Sequence, residues 1–303
     1  MLKVAILGAG SISGVHVDGW NNIEDAKLCA VFDKAPSQME KYPELSHYTD
    51  FDEMIDKEKP DIVDICLPTT YHVEFSLRAM KRGIHVLCEK PVSLNSEDVS
   101  LLYRTAEENN VRFMVAQVLR FWNEYMVLSD ICRSERFGKL LAGSMRRIGI
   151  KPTSGWFMDP ALSGGITHDL HIHDIDFLVD LFGAPKDKFI SRRQRPDFDF
   201  LHVVYNFGDF DIDVSAGWFS SDYPFTAEFL FSFERAVVAF EGGKLTVYTS
   251  EKLEDGEFTP PAGCPYEREI RYFTDCVING KPIEKVTEES LRNVLGILDS
   301  LNK

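Results

Sequence analysis

The segment Val4-Ala5-Ile6-Leu7-Gly8-Ala9-Gly10-Ser11-Ile12-Ser13-Gly14 constrains this chain more than any other. Its apolar residues read as a buried strand, and the glycines after them read as a tight turn into a helix. In such a turn Gly8 permits the backbone conformation and Gly10 lets the main chain approach a phosphate. Ser11, Ile12 and Ser13 open a helix whose N–H groups and dipole favour an anion. Ser13 stands at the third small position, and Gly14 beside it leaves the spacing of the pattern open. Glycines also occur in ordinary βα turns, so the weight comes from residues beyond the turn. The next apolar run ends at Asp33, about 20 residues further on, where a carboxylate can hold the ribose hydroxyls of a dinucleotide. A carboxylate there repels a 2′-phosphate and favours NAD over NADP, while Lys34 beside it keeps NADP open.

Short β-rich runs then alternate with helical patterns. Val4–Leu7, Lys27–Phe32, Ile62–Leu67, His85–Cys88 and Arg112–Gln117 are the strand candidates, with helices over Tyr71–Arg82 and Ser96–Asn109. This order predicts a doubly wound α/β domain with a parallel sheet over residues 1–120. Beyond it the pattern changes to a helix at Asn123–Glu135, a strand at Leu140–Ile150, a Pro- and Gly-rich loop, and a helix over Gly165–Leu181. Five β-rich runs come next between Phe200 and Thr249, with tight turns at Gly208-Asp209 and Gly242-Gly243, and then two helices at Cys264–Asn279 and Thr287–Leu301. Residues 121–303 are therefore expected to form an α+β domain on a large, mostly antiparallel open sheet.

A length of 303 residues suits two such domains. The 44% of apolar residues and the 22 Phe support real cores. A formal charge of −15 argues against nucleic acid or an anionic membrane as partner. Without a run of about 18 apolar residues or a leader-like start, the chain is expected to be cytoplasmic. Its six cysteines form no C-x-x-C pair and are expected to be reduced thiols.

Two further segments carry chemistry. Glu89-Lys90-Pro91 follows a parallel strand, where ligands of open α/β sheets gather. On this tripeptide alone Lys90 reads as a surface lysine at a strand end, but facing the crevice it offers an ammonium to a substrate hydroxyl. In Thr167-His168-Asp169-Leu170-His171-Ile172-His173-Asp174-Ile175-Asp176, helical spacing places Asp169 and His173 on one face. A carboxylate beside an imidazole suits a base that takes a proton from an alcohol. The same cluster invites a metal reading. No metal is expected, because His168, His171 and His173 cannot share one α-helical face and no H-E-x-x-H pattern is present.

With the glycine turn, Asp33, Leu67-Pro68-Thr69-Thr70-Tyr71-His72, Glu89-Lys90-Pro91 and the Asp169-x-x-x-His173 segment in this order, the chain resembles the Gfo/Idh/MocA oxidoreductases, relatives of glucose-fructose oxidoreductase and inositol dehydrogenase. The resemblance spans the whole length. It implies a Rossmann domain followed by a domain whose open sheet serves oligomerisation, giving a homodimer or homotetramer. By the same resemblance Lys90, Asp169 and His173 match the catalytic set. Leu67, Pro68, Thr69, His72, Glu89, Lys90 and Gln117 join the turn residues along the cofactor, and Trp156 and His171 join Lys90 and His173 near a carbohydrate or polyol substrate. The implied activity is hydride transfer between NAD or NADP and a secondary alcohol, with either His173 or Lys90 as proton acceptor. A nicotinamide-binding sensor, an NAD-dependent glycosidase and an aldehyde or enone reductase remain the alternatives on the same fold.

Overall fold

The computed structural model describes residues 1–153 and 155–301. The first stretch of chain builds β1 (Leu2–Leu7), α1 (Ser11–Asn21), β2 (Ala26–Phe32), α2 (Pro36–Met39), β3 (Ser46–Tyr48), α3 (Phe51–Glu58), β4 (Ile62–Ile65), α4 (His72–Met80), β5 (His85–Glu89), α5 (Glu97–Glu108) and β6 (Phe113–Ala116). Among the described residues these strands form a six-stranded parallel sheet in the order β3-β2-β1-β4-β5-β6. Helices cover both faces, which is why β4 and β6 are apolar runs buried along their whole length. The one charged exception is Asp64 in β4, which is also buried.

Strand order reverses between β1 and β4, and in such sheets ligands bind at the carboxyl ends beside the reversal. Gly8, Asp33, Leu67, Lys90 and Gln117 each stand one or two residues beyond the end of β1, β2, β4, β5 and β6. Five separate sequence segments thus arrive at one edge of one sheet.

The second stretch builds α6 (Asn123–Ser134), β7 (Leu140–Ile150), α7 (Pro160–Ser163), α8 (Ile172–Phe182), β8 (Asp187–Arg195), β9 (Phe198–Asn206), β10 (Asp211–Phe219), β11 (Thr226–Phe233), β12 (Val237–Glu241) and β13 (Lys244–Tyr248). Among the described residues they give a seven-stranded sheet, ordered β13-β12-β11-β7-β10-β9-β8, in which only the β7–β10 pairing is parallel. Alternation is plain in β9, where Asp199, Leu201, Val203 and Tyr205 point inward and the residues between them do not. The inward face meets the helices through aromatic contacts such as Phe229 of β11 with Tyr125 of α6, at a centroid distance of 5.1 Å, and Tyr125 in turn meets Phe177 of α8 at 5.0 Å. The expected Gly242-Gly243 turn has φ of +56° and +78°, the two positive values a two-residue hairpin between twisted strands requires.

Two helices, α9 (Pro265–Ile278) and α10 (Glu288–Leu301), close the chain. The chain divides into two compact units, Met1–Val118 with Gly263–Arg292, and Leu119–Ala262 with the segment from Asn293 onward. The segment carrying α9 packs with the first unit because Ile270 lies against Gly19 of α1, where an added Cβ would sit 2.6 Å from the Ile270 Cδ1. Among the described residues no helix is long and apolar enough to cross a membrane.

Candidate active site

Gly8 leaves β1 with φ of +100°, and a Cβ added there would lie 2.6 Å from the Cys66 carbonyl oxygen. Only glycine satisfies both the conformation and the space. Gly10 caps α1 without a side-chain hydrogen bond to its first amides, and a Cβ built on it meets nothing within 4 Å. The turn so presents unpaired helix N–H groups beside open space, the arrangement that receives a phosphate. Ser11 is exposed and Ile12 half-exposed, whereas Ser13 is buried. Its hydroxyl donates to the Gly10 carbonyl at 2.7 Å and meets the Tyr42 hydroxyl at 2.8 Å, so it pins the turn as well as leaving room for it. Asp33 accepts the N–H groups of Ala9 and Ala35, both at 2.8 Å, which fixes its carboxylate at the rim of the glycine turn. These residues fit a dinucleotide.

The remaining cofactor candidates divide by exposure. Leu67 and Pro68 are half-exposed, but Thr69, His72 and Gln117 are only 3%, 1% and 2% exposed. His72 faces the Pro91 carbonyl with Nδ1 at 2.8 Å and the Leu67 carbonyl with Nε2 at 2.6 Å. Burial holds its imidazole below the ordinary range. His72 therefore ties the Leu67 loop to the Pro91 loop, and its influence on a ligand runs through them. Lys90 is half-buried, and its backbone N–H donates to Glu89 Oε2 at 3.0 Å.

In the second unit the expected helix over Gly165–Leu181 is a π-helical turn, Thr167–His171, followed by α8. Such i→i+5 turns interrupt α-helices chiefly at functional sites, and spacing arguments built on 3.6 residues per turn fail across them. The turn sends His171 inward. Its Nε2 lies 2.7 Å from the Tyr205 hydroxyl, its ring stacks on that of Tyr205, and burial pushes its pKa down to about 3. His171, expected near the substrate, is thus placed inside the core as a neutral, fully buried residue. His168 is also buried, with Nδ1 3.3 Å from the Gly164 carbonyl. Asp174 and Asp176 are buried in ion pairs. Arg147 of β7 reaches Asp174 at 2.7 Å and the Tyr125 hydroxyl at 3.2 Å, and Arg120 reaches the two oxygens of Asp176 at 2.6 and 2.8 Å.

Asp169 and His173 remain, and both are half-exposed. Asp169 lines a cavity of about 420 Å³ with Ile150, Trp218, Tyr223 and Phe225. Trp156 is half-buried and stacks on Phe157, with centroids 4.0 Å apart, and Phe157 with Gly164 and Gly165 lines a second cavity of about 420 Å³. The first, apolar with few polar groups, is of the kind where small ligands bind, whereas Lys151, Arg192, Gln194 and Asp199 make the second more polar.

The sequence reading passed over a buried cluster in the first unit. His16 of α1, Asp64 of β4 and Cys66 bring three potential ligand atoms within 4.8 Å of one another, yet these atoms already meet each other or Glu89 as hydrogen-bond partners. The available signal was Asp64, a lone charge inside an apolar strand.

Residues 2–117 match the model of an oxidoreductase family with an NAD-binding Rossmann fold, and residues 125–250 match the GFO/IDH/MocA C-terminal domain. The chain is 30% identical to D-glucoside 3-dehydrogenase of Escherichia coli over 69% of its own length and 62% of that protein. It is 27% identical to myo-inositol 2-dehydrogenase of Thermotoga maritima over 63% of its length and 58% of that protein. The match thus spans less than two thirds of either relative. A dehydrogenase from Chromobacterium violaceum superposes with a TM-score of 0.86 at 17% identity, covering 99% of this chain and 94% of that one, a likeness of fold.

Proposed function

The chain belongs to the Gfo/Idh/MocA oxidoreductase family, and from that premise we propose that it is an NAD(P)-dependent dehydrogenase acting on a secondary alcohol or ketone of a sugar, inositol or related polyol. One observation carries the proposal. Of the six His and Asp side chains between residues 168 and 176, four are closed into the core and Asp169 and His173 are the pair left accessible. A protein that only sensed nicotinamide would have no use for an accessible acid lining a cavity and an accessible imidazole four residues further on. When bound, the nicotinamide supplies the hydride acceptor. His173 accepts the hydroxyl proton, Asp169 orients the ring and favours its protonated form, and Lys90 stabilises negative charge developing on the substrate oxygen. The polyol class is supported by the dehydrogenases of a glucoside and of myo-inositol to which the chain is similar.

The test is absorbance at the NADH band while purified protein with NAD or NADP meets inositols, aldoses, sugar acids and glycosides. Turnover with one polyol class supports the reading. Aglycone release without net NADH would replace it with a glycosidase, and silence with NADH binding intact would replace it with a sensor.

Cofactor preference depends on Asp33. Hydrogen bonds to charged groups are worth about 1.5–3 kcal/mol, so Asp33→Asn is expected to weaken NAD binding by roughly tenfold or more. NADP binding should weaken less, because repulsion of the 2′-phosphate goes with the charge. Fluorescence titrations with both reduced cofactors check this, and equal losses for the two would contradict it.

Assembly through the open sheet is the further part of this reading. Pairing registers place Phe189, Val204, Asp213, Ser144 and Leu230 in one row on the face opposite the core. Phe189 is 68% exposed there and Leu230 39%. Large apolar side chains exposed on an open sheet face, here at both ends of a row that also holds Asp213 and Ser144, favour association through that face. Phe189→Glu is expected to lower the mass measured by light scattering from that of a dimer or tetramer; an unchanged mass would exclude this face.

A further inference from the structure

His16 has no part in the chemistry assigned above, yet it is fully buried and its two ring nitrogens reach two different strands. Nδ1 lies 2.7 Å from Asp64 Oδ2 in β4, and Nε2 lies 2.9 Å from Glu89 Oε1 at the end of β5. Trp20, one turn further along α1, donates its indole N–H to the same Asp64 oxygen at 2.6 Å. The other Glu89 oxygen accepts the Lys90 backbone N–H at 3.0 Å. An unbroken line of contacts runs from Asp64 through His16 and Glu89 to Lys90.

Carboxylates only accept hydrogen bonds, and a neutral imidazole donates from one nitrogen alone, so a ring bonded on both sides by carboxylates is the doubly protonated one. Burial would by itself lower the His16 pKa, but Asp64 outweighs it and raises it well above the ordinary value. Burial would raise Glu89, but His16 and then Lys90 outweigh it and hold the carboxyl below its ordinary range. Among the other groups facing the pair, the Cys66 thiol and the Tyr266 hydroxyl are neutral near pH 7, and the buried carboxyl of Glu269 in α9 stands beside Tyr266. Burial pushes the Cys66 thiol up to about 12, and it pushes the hydroxyl of Tyr266, whose ring centroid is 6.0 Å from that of His16, up to about 12. An apolar side chain would dock α1 on the sheet without the cost of desolvating an ion. The cation is needed where Glu89 must remain a carboxylate.

The geometry points to His16 as a positioning residue: a buried imidazolium bridge that keeps Glu89 in place as a carboxylate and, through Glu89, fixes the backbone of Lys90. This rests on the part given to Lys90 in the proposed reaction, but its first test needs no substrate. His16→Gln leaves Glu89 buried without its main counter-charge, so difference infrared spectra against the native protein at neutral pH should show a new protonated-carboxyl band. That band should vanish in His16→Gln/Glu89→Gln. Absence of the band, or a band that survives in the double variant and so belongs to Asp64, overturns the proposal.

In turnover, the acid limb of kcat/KM should rise by about 1–3 pH units in His16→Gln, the range an opposite charge at this distance commands. A merely structural histidine would lower activity with the limb unmoved, which also overturns it. If His16→Gln does not fold, Glu89→Gln keeps the His16–Asp64 pair and should lower kcat measured at saturating cofactor; unchanged kcat overturns the link. Lys90→Ala in the same assay separates the two readings. If that variant keeps its activity, the part given to Lys90 fails while the infrared result still decides the bridge.

Discussion

Lys90→Ala and His173→Ala should each lower kcat by about 10²–10⁴-fold, the usual contribution of a positioned proton-transfer group, while NADH binding by fluorescence stays nearly intact. Both side chains are half-exposed, so neither truncation leaves a core cavity, and lost activity will not be lost folding. His171→Phe is the contrasting variant. It takes the partner from the buried Tyr205 hydroxyl and is expected to cost about 1–3 kcal/mol of stability while most of kcat remains. Thermal unfolding beside initial rates separates the two signatures. If His171→Phe lost turnover while His173→Ala kept it, the division of the histidines into core and site would be reversed. Loss of NADH binding in Lys90→Ala or His173→Ala would instead move those residues from catalysis to cofactor binding.

That division could not be read from the sequence, and the reason is geometrical. Alternating polar and apolar residues from His168 to Asp176 suit several helical phases; an α-helical ruler singles out Asp169 and His173 but leaves open whether His171 also reaches the substrate. The π turn changes the phase at that point, and nothing in the local composition announces an i→i+5 turn. The first unit was more legible because its strands are buried on both faces and interrupted by glycines, so that Gly8, Asp33 and Lys90 could be placed at strand ends by counting. Its buried interior was less so. Burial of Ser13, Thr69, His72 and Gln117 depends on loops that arrive from elsewhere, and Tyr42, the partner of Ser13, is 29 residues away in sequence. The edge strand β8 escaped notice for another reason. Arg192, Arg193 and Arg195 break its apolar alternation, as charges on edge strands commonly do. The return of α9 to the first unit turns on the fit of Ile270 against Gly19, a pairing between residues about as far apart as the chain allows.

The largest expected loss of stability comes from Arg147→Met. Removing one partner of a buried ion pair typically costs about 3–5 kcal/mol, because the other charge is stranded, and Arg147 and Asp174 are only 5% and 1% exposed. Burial already raises the Asp174 pKa, with Arg147 opposing it. Without the guanidinium the carboxyl will take up a proton and not persist as a buried anion, which places the loss toward the lower end of that range. That proton sets the sign of the pH dependence. Asp174 of both folded proteins binds a proton that the unfolded chain releases near ~3.9, so the two lose stability together at first; the deficit should grow as pH rises above the native protein's raised Asp174 pKa and level off above the variant's still higher one. Urea unfolding of the variant and the native protein across that interval would show it, and a deficit independent of pH would mean that the loss is one of packing alone. Arg147→Met/Asp174→Leu removes both charges and should recover most of the stability, as paired apolar replacement of buried ion pairs often does. Activity should not recover to the same extent. Asp174 follows His173 directly, and the bond from β7 sets the rotation of the helix that presents it. A double variant that is both stable and fully active would show that apolar packing holds His173 equally well, and that this ion pair serves the fold without serving the site.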